Sequence, residues 1–414
     1  MARQEIIVGL DVGTTTVRTI VAQKNPKQPK PLFIGIGEAP STGIRKGAVV
    51  DIEETVKAIS ASLEETERIA GTAIEHVYVS IGGEHIISKS SRGVVAVSRA
   101  DGEISEEDVA RVINAAQAIT IAPNKEILHV IPISFTLDSQ EQIKDPVGMN
   151  GVRLEANVLI IEGAVPFIKN LTKCVHESGV EIDDLVLTSL ASSKAVLSSR
   201  QKELGVVVID LGGGTTSLAV FEEDTLIHTA VLPVGGGHVT NDIAIGLRTS
   251  IDIAERVKRD FGSALPLEVS KRDKIDLAKI DSSEEGVVLR RHLAEIIEAR
   301  IVEIFTLVDQ ELKKIDRSKM LPAGAVLVGG GAKMPGIIDL AKETLSLPVQ
   351  IGFPQNIEGI VDRINDPSFA TVVGLVLWGL DEKVYSHRKF QLSGVSYLAN
   401  PISKLKRLFK TFLP

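Results

Sequence analysis

Short apolar runs and helix-period runs take turns along the chain. Ile6–Leu10 is a run of the buried-strand type, Val17–Gln23 predicts its hairpin partner, and Leu32–Gly37 predicts a third strand after a Lys- and Pro-rich loop. From Asp51, a capping residue, Ile52, Val56, Ile59, Leu63 and Ile69 recur at helical spacing until Gly71 stops the run. His76–Ile81 returns to strand. Between Gly83 and Glu162 the pattern changes to strands at Ile86–Val97, Ile127–Leu137 and Ala156–Ile161, with one helix opened by Ser105-Glu106-Glu107-Asp108. This segment reads as an inserted α+β subdomain. Alternation then resumes with helix Pro166–Ser178, strand Leu185–Thr188, helix Ser189–Gln201 and strand Val206–Asp210, which predicts parallel strands joined by crossover helices.

Two stretches repeat one another. Residues 8–16 read Val-Gly-Leu-Asp-Val-Gly-Thr-Thr-Thr, and 207–216 read Val-Val-Ile-Asp-Leu-Gly-Gly-Gly-Thr-Thr. Each is a buried strand ending in Asp-x-Gly, then small hydroxylated residues and a second strand, so the chain divides into two similar halves offset by 199 residues. A tight turn of this kind offers backbone N–H groups and Thr hydroxyls to an anion, and glycine allows close approach. Two such hairpins facing each other would grip a triphosphate, with Asp11 and Asp210 placed to hold a hydrated Mg²⁺. One hairpin alone is equally well a plain turn. Two further glycine elements weigh against that: Gly235-Gly236-Gly237 between strand Leu226–Leu232 and a helix near His238, and Gly329-Gly330-Gly331-Ala332 between strand 325–328 and a helix from Pro335.

Composition narrows the class. With 44% apolar and 24% charged residues the chain supports a real core. The net charge of −8 is uneven: Lys383–Pro414 holds seven Lys or Arg and no acid, leaving 39 basic against 54 acidic residues, or −15, in the rest. An acidic body excludes nucleic acid as an expected partner. The lone Cys174 and an N-terminal end without a signal-peptide pattern predict a reducing, cytoplasmic setting. The longest apolar stretch, Val372–Leu380, falls well short of the roughly 20 residues that cross a bilayer.

In this order the glycine elements resemble those of the actin-like ATPase superfamily, over most of residues 5–380. The resemblance implies a duplicated, ribonuclease H-like two-lobed α/β fold that binds ATP and Mg²⁺. It implies nucleotide contacts from Asp11, Gly13, Thr14, Thr15 and Thr16, and from Asp210, Gly212, Gly213, Gly214, Thr215 and Thr216. Gly235, Gly236 and Asn241 join them, as do Gly329, Gly330, Gly331 and Ala332 on the adenosine side. Glu255 and Lys258 match the family's ribose- and adenine-side Glu and Lys, and Arg18 lies where actin has a phosphate-contacting Lys; the plain alternative for each is a solvated surface charge. Where actin and the chaperones carry a water-orienting Gln or Glu, the segment Ser189-Leu190-Ala191-Ser192-Ser193-Lys194-Ala195 has none, so turnover is expected to be slow, with no catalytic residue assigned and ATP mainly setting conformation.

The C-terminal end has its own chemistry. Asn400-Pro401 opens a helix on which Ile402, Leu405, Leu408, Phe409, Phe412 and Leu413 fall within an arc of about 140°, opposite Lys404, Lys406, Arg407 and Lys410. This is the pattern of an interfacial membrane anchor; the alternative is a helix docked on its own body. Six half-buried apolar side chains and four cations give roughly 10 kcal/mol gross, much of it consumed by ordering the helix, so one copy binds reversibly and a filament of copies binds tightly.

Such a tail, with the insertion at 83–162 and the stretches Leu190-Ala191-Ser192-Ser193, Gly235–Ile243 and Asp366–Thr371, is similar to the FtsA family of bacterial division proteins. That resemblance implies an actin-like filament protein at the cytoplasmic face of the membrane at the division site, working with other division proteins. It implies docking of the FtsZ C-terminal peptide on helix 293–304, through Arg300 and Glu303. The expected parts are a first lobe (1–82, 163–192, 360–382), the insertion, a second-lobe core (193–235, 306–359), a small subdomain (236–305), a flexible linker (383–399) and the helix 400–414. A PilM-like pilus-assembly adaptor is the alternative within the superfamily. A small-molecule kinase is the alternative outside it, and that reading lacks a candidate base beyond the two Asp residues.

Overall fold

The computed structural model describes residues 5–24, 30–118, 122–282, 284 and 286–390. The first apolar run, Glu5–Val12 (β1), is followed by Thr16–Lys24 (β2) and Leu32–Pro40 (β3) as antiparallel neighbours, Leu10 opposite Thr19 and Ile20 opposite Ile36. A small hairpin of Ile44–Arg45 (β4) and Ala48–Val49 (β5) turns at Lys46 and Gly47, both at positive φ. Helix α1, Ile52–Ala70, begins where the Asp51 carboxylate accepts the Glu54 N–H at 3.1 Å and ends at Gly71 with φ 68°. His76–Ile81 (β6) then lies parallel to β1.

A separate antiparallel sheet interrupts this lobe. Ile87–Ala96 (β7), Lys125–Leu137 (β8), Gln140–Ile143 (β9) and Arg153–Ala164 (β10) run in the order β7-β10-β8-β9. Helix α2, Glu106–Gln117, opens on a reciprocal Ser105–Asp108 capping box and buries Val109, Val112 and Ile113 against Phe135, Leu154, Val158 and Ile160. Strand β9 was not visible in the hydrophobic pattern because it is Gln-Glu-Gln-Ile, with Ile143 its one buried residue.

The chain returns through α3, Val165–Glu177, and β11, Glu181–Leu187, which pairs with β6. Where periodicity predicts one helix from Ser189 to Gln201, the structure has two, α4 (Thr188–Val196) and α5 (Ser199–Leu204). Leu197 is extended, and Ser198 starts a new capping box with Gln201, so a local cap outcompetes helix continuation.

The second lobe repeats the first. Val206–Leu211 (β12), Thr216–Glu222 (β13) and Thr225–Leu232 (β14) form the same antiparallel trio. Helices α6 (Gly236–Leu247) and α7 (Ile251–Phe261), the hairpin Lys274–Asp276 (β15) with Val287–Leu289 (β16), and α8 (Arg290–Lys314) follow. Ala325–Val328 (β17), α9 (Ile337–Leu345) and Val349–Ile351 (β18) complete a sheet of order β14-β13-β12-β17-β18. A 3₁₀ turn, Gly330–Lys333, stands between β17 and α9, so the helix begins two residues later than Pro335.

Glu358–Gly359 (β19) crosses back to pair with β3, giving the first sheet the order β11-β6-β1-β2-β3-β19. After α10 (Val361–Ile364), helix α11 (Ala370–Phe390) packs on α4 and β1. Gly374 makes this possible, since a β-carbon there would lie 1.8 Å from the Ala191 carbonyl oxygen. Helix α11 runs through the start of the stretch expected to be a linker, because 381–390 contains neither Gly nor Pro to stop it. Residues 391–414, including the predicted membrane helix, lie outside the described residues. Among the described residues no helix is long and apolar enough to cross a membrane.

Candidate functional site

The two Asp-x-Gly hairpins face each other across the cleft between the lobes, where a cavity of about 1160 Å³ opens. The tips touch. A β-carbon at Gly213 would fall 2.8 Å from Thr15 Cγ2, and one at Gly214 would fall 2.8 Å from Thr14 Oγ1 and 2.9 Å from the Lys46 amide nitrogen. The β4–β5 turn thus joins them, with the Gly47 N–H donating to Thr14 Oγ1 at 3.2 Å. Helix α6 is docked on the second hairpin by the N–H groups of Gly236 and Gly237, which donate to the Gly212 and Gly213 carbonyls at 2.9 and 2.7 Å.

Asp11 and Asp210 end the matched strands β1 and β12. The Ser80 hydroxyl donates to Asp11 Oδ1 at 2.6 Å, and the Thr371 hydroxyl donates to Asp210 Oδ2 at 2.9 Å. Burial raises the pKa of Asp11; burial and then the charge of Asp11 push Asp210 up to about 7. Among the described residues no Lys or Arg forms an ion pair with either carboxylate. Two unpaired carboxylates sunk in one cleft are a donor set suited to a hydrated Mg²⁺, whose charge would relieve the repulsion between them.

The base side is built from α6 and α7. Lys258 Nζ reaches Glu255 Oε2 at 2.6 Å, Thr240 Oγ1 at 2.8 Å and the Gly236 carbonyl at 3.2 Å, so the Glu-Lys pair expected from resemblance is a connected group on the cavity wall. Opposite it, Gly329, Gly330 and Gly331 present bare backbone, and a β-carbon at Gly330 would meet nothing within 4 Å.

Of the residues expected at the site, Asp11, Gly13, Thr14, Thr15, Thr16 and Arg18 line the cavity. So do Asp210, Gly212, Gly213, Gly214, Thr215, Gly236, Asn241, Glu255, Lys258 and the three glycines after β17. Thr216, Gly235 and Ala332 do not. Thr216 is buried and donates to the Val234 carbonyl at 2.8 Å, Ala332 is buried, and Gly235 supports the second hairpin from behind. The Arg18 guanidinium donates to Glu38 Oε2 at 2.9 Å and lies over the Phe369 ring, while its charge also acts on Asp11 and Asp210 and favours their ionised forms. Ser80, Thr371, Lys46 and Thr240 escaped the sequence reading. Thr240 and Thr371 lie in two of the stretches that carry the family resemblance, whereas Ser80 is brought level with Asp11 by the β1–β6 register, one step beyond the pair Leu10 with Val79.

On α8, whose Ile301 and Ile304 line the cavity although Arg300 does not, Arg300 forms a bidentate pair with Asp242 of α6 at 2.6 and 2.9 Å and reaches Glu303 at 2.6 Å. The Asp242 hydrogen bonds raise its pKa further.

Comparison with known proteins agrees with this architecture. The family model "Cell division protein FtsA" matches residues 207–374, and "SHS2 domain inserted in FTSA" matches 83–162. The cell division protein FtsA of Pseudomonas aeruginosa is 40% identical over 408 residues, covering 97% of each chain. The chain belongs to the FtsA family. As a member of that family it is an actin-like cell-division protein, and its 83–162 sheet is the family's inserted domain. Solved structures give the fold: a PilM–PilN type IV pilus biogenesis complex matches with a TM-score of 0.66 at 17% identity, covering 90% of this chain and 98% of that one. MreB5 of Spiroplasma citri bound to ADP matches with a TM-score of 0.55 at 14% identity, covering 94% and 99%.

Proposed function

We propose that this FtsA-family chain binds Mg-ATP between its two Asp-x-Gly hairpins and, as an actin-like filament, tethers FtsZ polymers to the cytoplasmic face of the membrane at the division site. The observation that carries the nucleotide part is the pair of matched hairpins closing on one cavity with two sunken, unpaired carboxylates. The fold neighbour bound to ADP supports it. Asp11 and Asp210 would hold the metal through water, which would neutralise phosphate charge; the hairpin amides and Thr14, Thr15 and Thr215 orient the phosphates, and Glu255 with Lys258 meets the ribose and base. Helix α4 supplies no Gln or Glu to aim a water, so the nucleotide acts chiefly on conformation and assembly.

The tether has two ends. Arg300, with Glu303, offers a cationic fork to the FtsZ C-terminal peptide, and Asp242 holds that fork in place until a peptide arrives. Ile402, Lys404, Leu405, Lys406, Arg407, Leu408, Phe409, Lys410, Phe412 and Leu413 make the lipid contact. The pilus-adaptor alternative is set aside, since identity is 17% to the PilM–PilN structure against 40% to an FtsA. Sedimentation with anionic liposomes, with and without residues 400–413, tests the anchor; equal sedimentation of both forms would refute it. For the FtsZ end, Arg300→Glu should weaken binding of an FtsZ-tail peptide and leave ATP affinity unchanged, and undiminished peptide binding removes the assignment.

A further inference from the structure

The two carboxylates of the cleft are oriented by hydroxyls of different origin. Ser80 reaches Asp11 from within the first lobe, β6 to β1. Thr371 stands at the start of α11, a helix packed on α4 and β1 of the first lobe, yet its hydroxyl donates at 2.9 Å to Asp210 at the end of β12 in the second. Both partners are buried, Thr371 at 5% and Asp210 at 7% exposure. On its other side Asp210 Oδ1 rests against Gly329, where a β-carbon would come within 2.4 Å. The carboxylate is therefore wedged between a donor from the opposite lobe and a glycine of its own.

Thr371 is the second residue of α11, and its hydroxyl goes to Asp210 instead of returning to the carbonyl one turn back that a mid-helix Thr uses. Thr306 and Thr344 do that here, donating to Val302 and Leu340 at 2.7 and 2.8 Å. For Thr371 the corresponding carbonyl, that of Pro367, accepts the N–H groups of Gly329, at 2.9 Å, and Ala370. The same short stretch thus contacts both strand ends, β12 and β17, that flank the cavity.

We infer that Thr371 is a positioning residue: its hydroxyl holds the Asp210 carboxylate in the orientation that a hydrated divalent cation beside the phosphates requires, and does so only while the lobes are closed. This rests on the reading that the cleft takes Mg-ATP. A carboxylate that accepts one bond at Oδ2 keeps lone pairs for metal-bound water, whereas one without the bond turns about its last torsion and loses the alignment. The same bond makes lobe closure and metal alignment a single event.

The test uses the full chain and a fluorescent ATP analogue, titrated with excess Mg²⁺ and with EDTA, for wild type, Thr371→Val and Thr371→Ser. In wild type and Thr371→Ser, Mg²⁺ should raise affinity. Thr371→Val should lose about tenfold of that rise, the scale of one hydrogen bond to a charged group, with affinity in EDTA unchanged. A Thr371→Val chain that keeps the full Mg²⁺ response overturns the inference alone. So does one that weakens equally with and without Mg²⁺, because that marks a packing role. A wild type that binds ATP without responding to Mg²⁺, or does not bind it, overturns the proposed metal-nucleotide reading and this inference together.

Discussion

On the proposed reading nucleotide binding depends on closure of the two hairpins, and Gly214→Ala perturbs that closure at one point. The added β-carbon would sit 2.8 Å from Thr14 Oγ1 and 2.9 Å from both Thr14 Cγ2 and the Lys46 nitrogen. Ordinary contact begins near 3.4 Å, so the tips must part by about 0.5 Å. Thr14 cannot simply swing away, because Gly47 holds its hydroxyl, and the Lys46 atom is backbone. Gly214 has an ordinary negative-φ backbone, unlike Gly329 or Gly336, so alanine adds no backbone strain and the fold should survive. If the hairpin amides hold the phosphates as proposed, a shift of this size would stretch several of those bonds at once, for a loss of about 1.5–3 kcal/mol, or roughly 10- to 150-fold in affinity. Titration of a fluorescent ATP analogue measures this directly, with the nucleotide-free thermal midpoint expected to stay within about 2 °C of wild type. Affinity within twofold of wild type would mean that the hairpins do not close on the phosphates, and the site would have to be redrawn.

Gly330→Leu should abolish ATP-analogue binding while leaving the urea midpoint unchanged, since its side chain would enter open cavity; retained binding would place the base elsewhere. Gly374→Ala, whose β-carbon would meet the Ala191 carbonyl at 1.8 Å, should destabilise the α4–α11 contact by about 3 kcal/mol, seen as a lower urea midpoint. Asp108→Ala should destabilise the inserted domain by about 3 kcal/mol, because the Ser98 and Ser105 amides and hydroxyls lose their shared acceptor. Burial alone would raise the Asp108 pKa, but the Ser105, Ser98 and Arg111 hydrogen bonds together hold it well below the usual carboxylate range. Its stabilisation is therefore present above the unfolded value of 3.8 and is lost as pH falls below it, so an acid titration of the wild type should show a step that Asp108→Ala lacks.

Local pattern carried much of this protein. Strand–Asp-x-Gly–hydroxyl runs, helix caps at Asp51 and Ser105 and the stop at Gly71 are short-range signals, each set by residues within a turn or two of one another. The internal repeat then placed the site between two halves before any contact was known. Strand β9 and the break at Leu197 escaped because the first lacks an apolar run and the second lacks Gly or Pro. What only the tertiary structure decided are pairings over long separations: Ser80 with Asp11, Thr371 with Asp210, Arg18 with Glu38, and Asp242 with Arg300. No period or spacing encodes a hydrogen bond between residues 161 positions apart. Such a bond exists because β12 and α11 arrive at one cleft from opposite lobes, and burial there leaves each polar group to be satisfied by whatever the fold brings beside it.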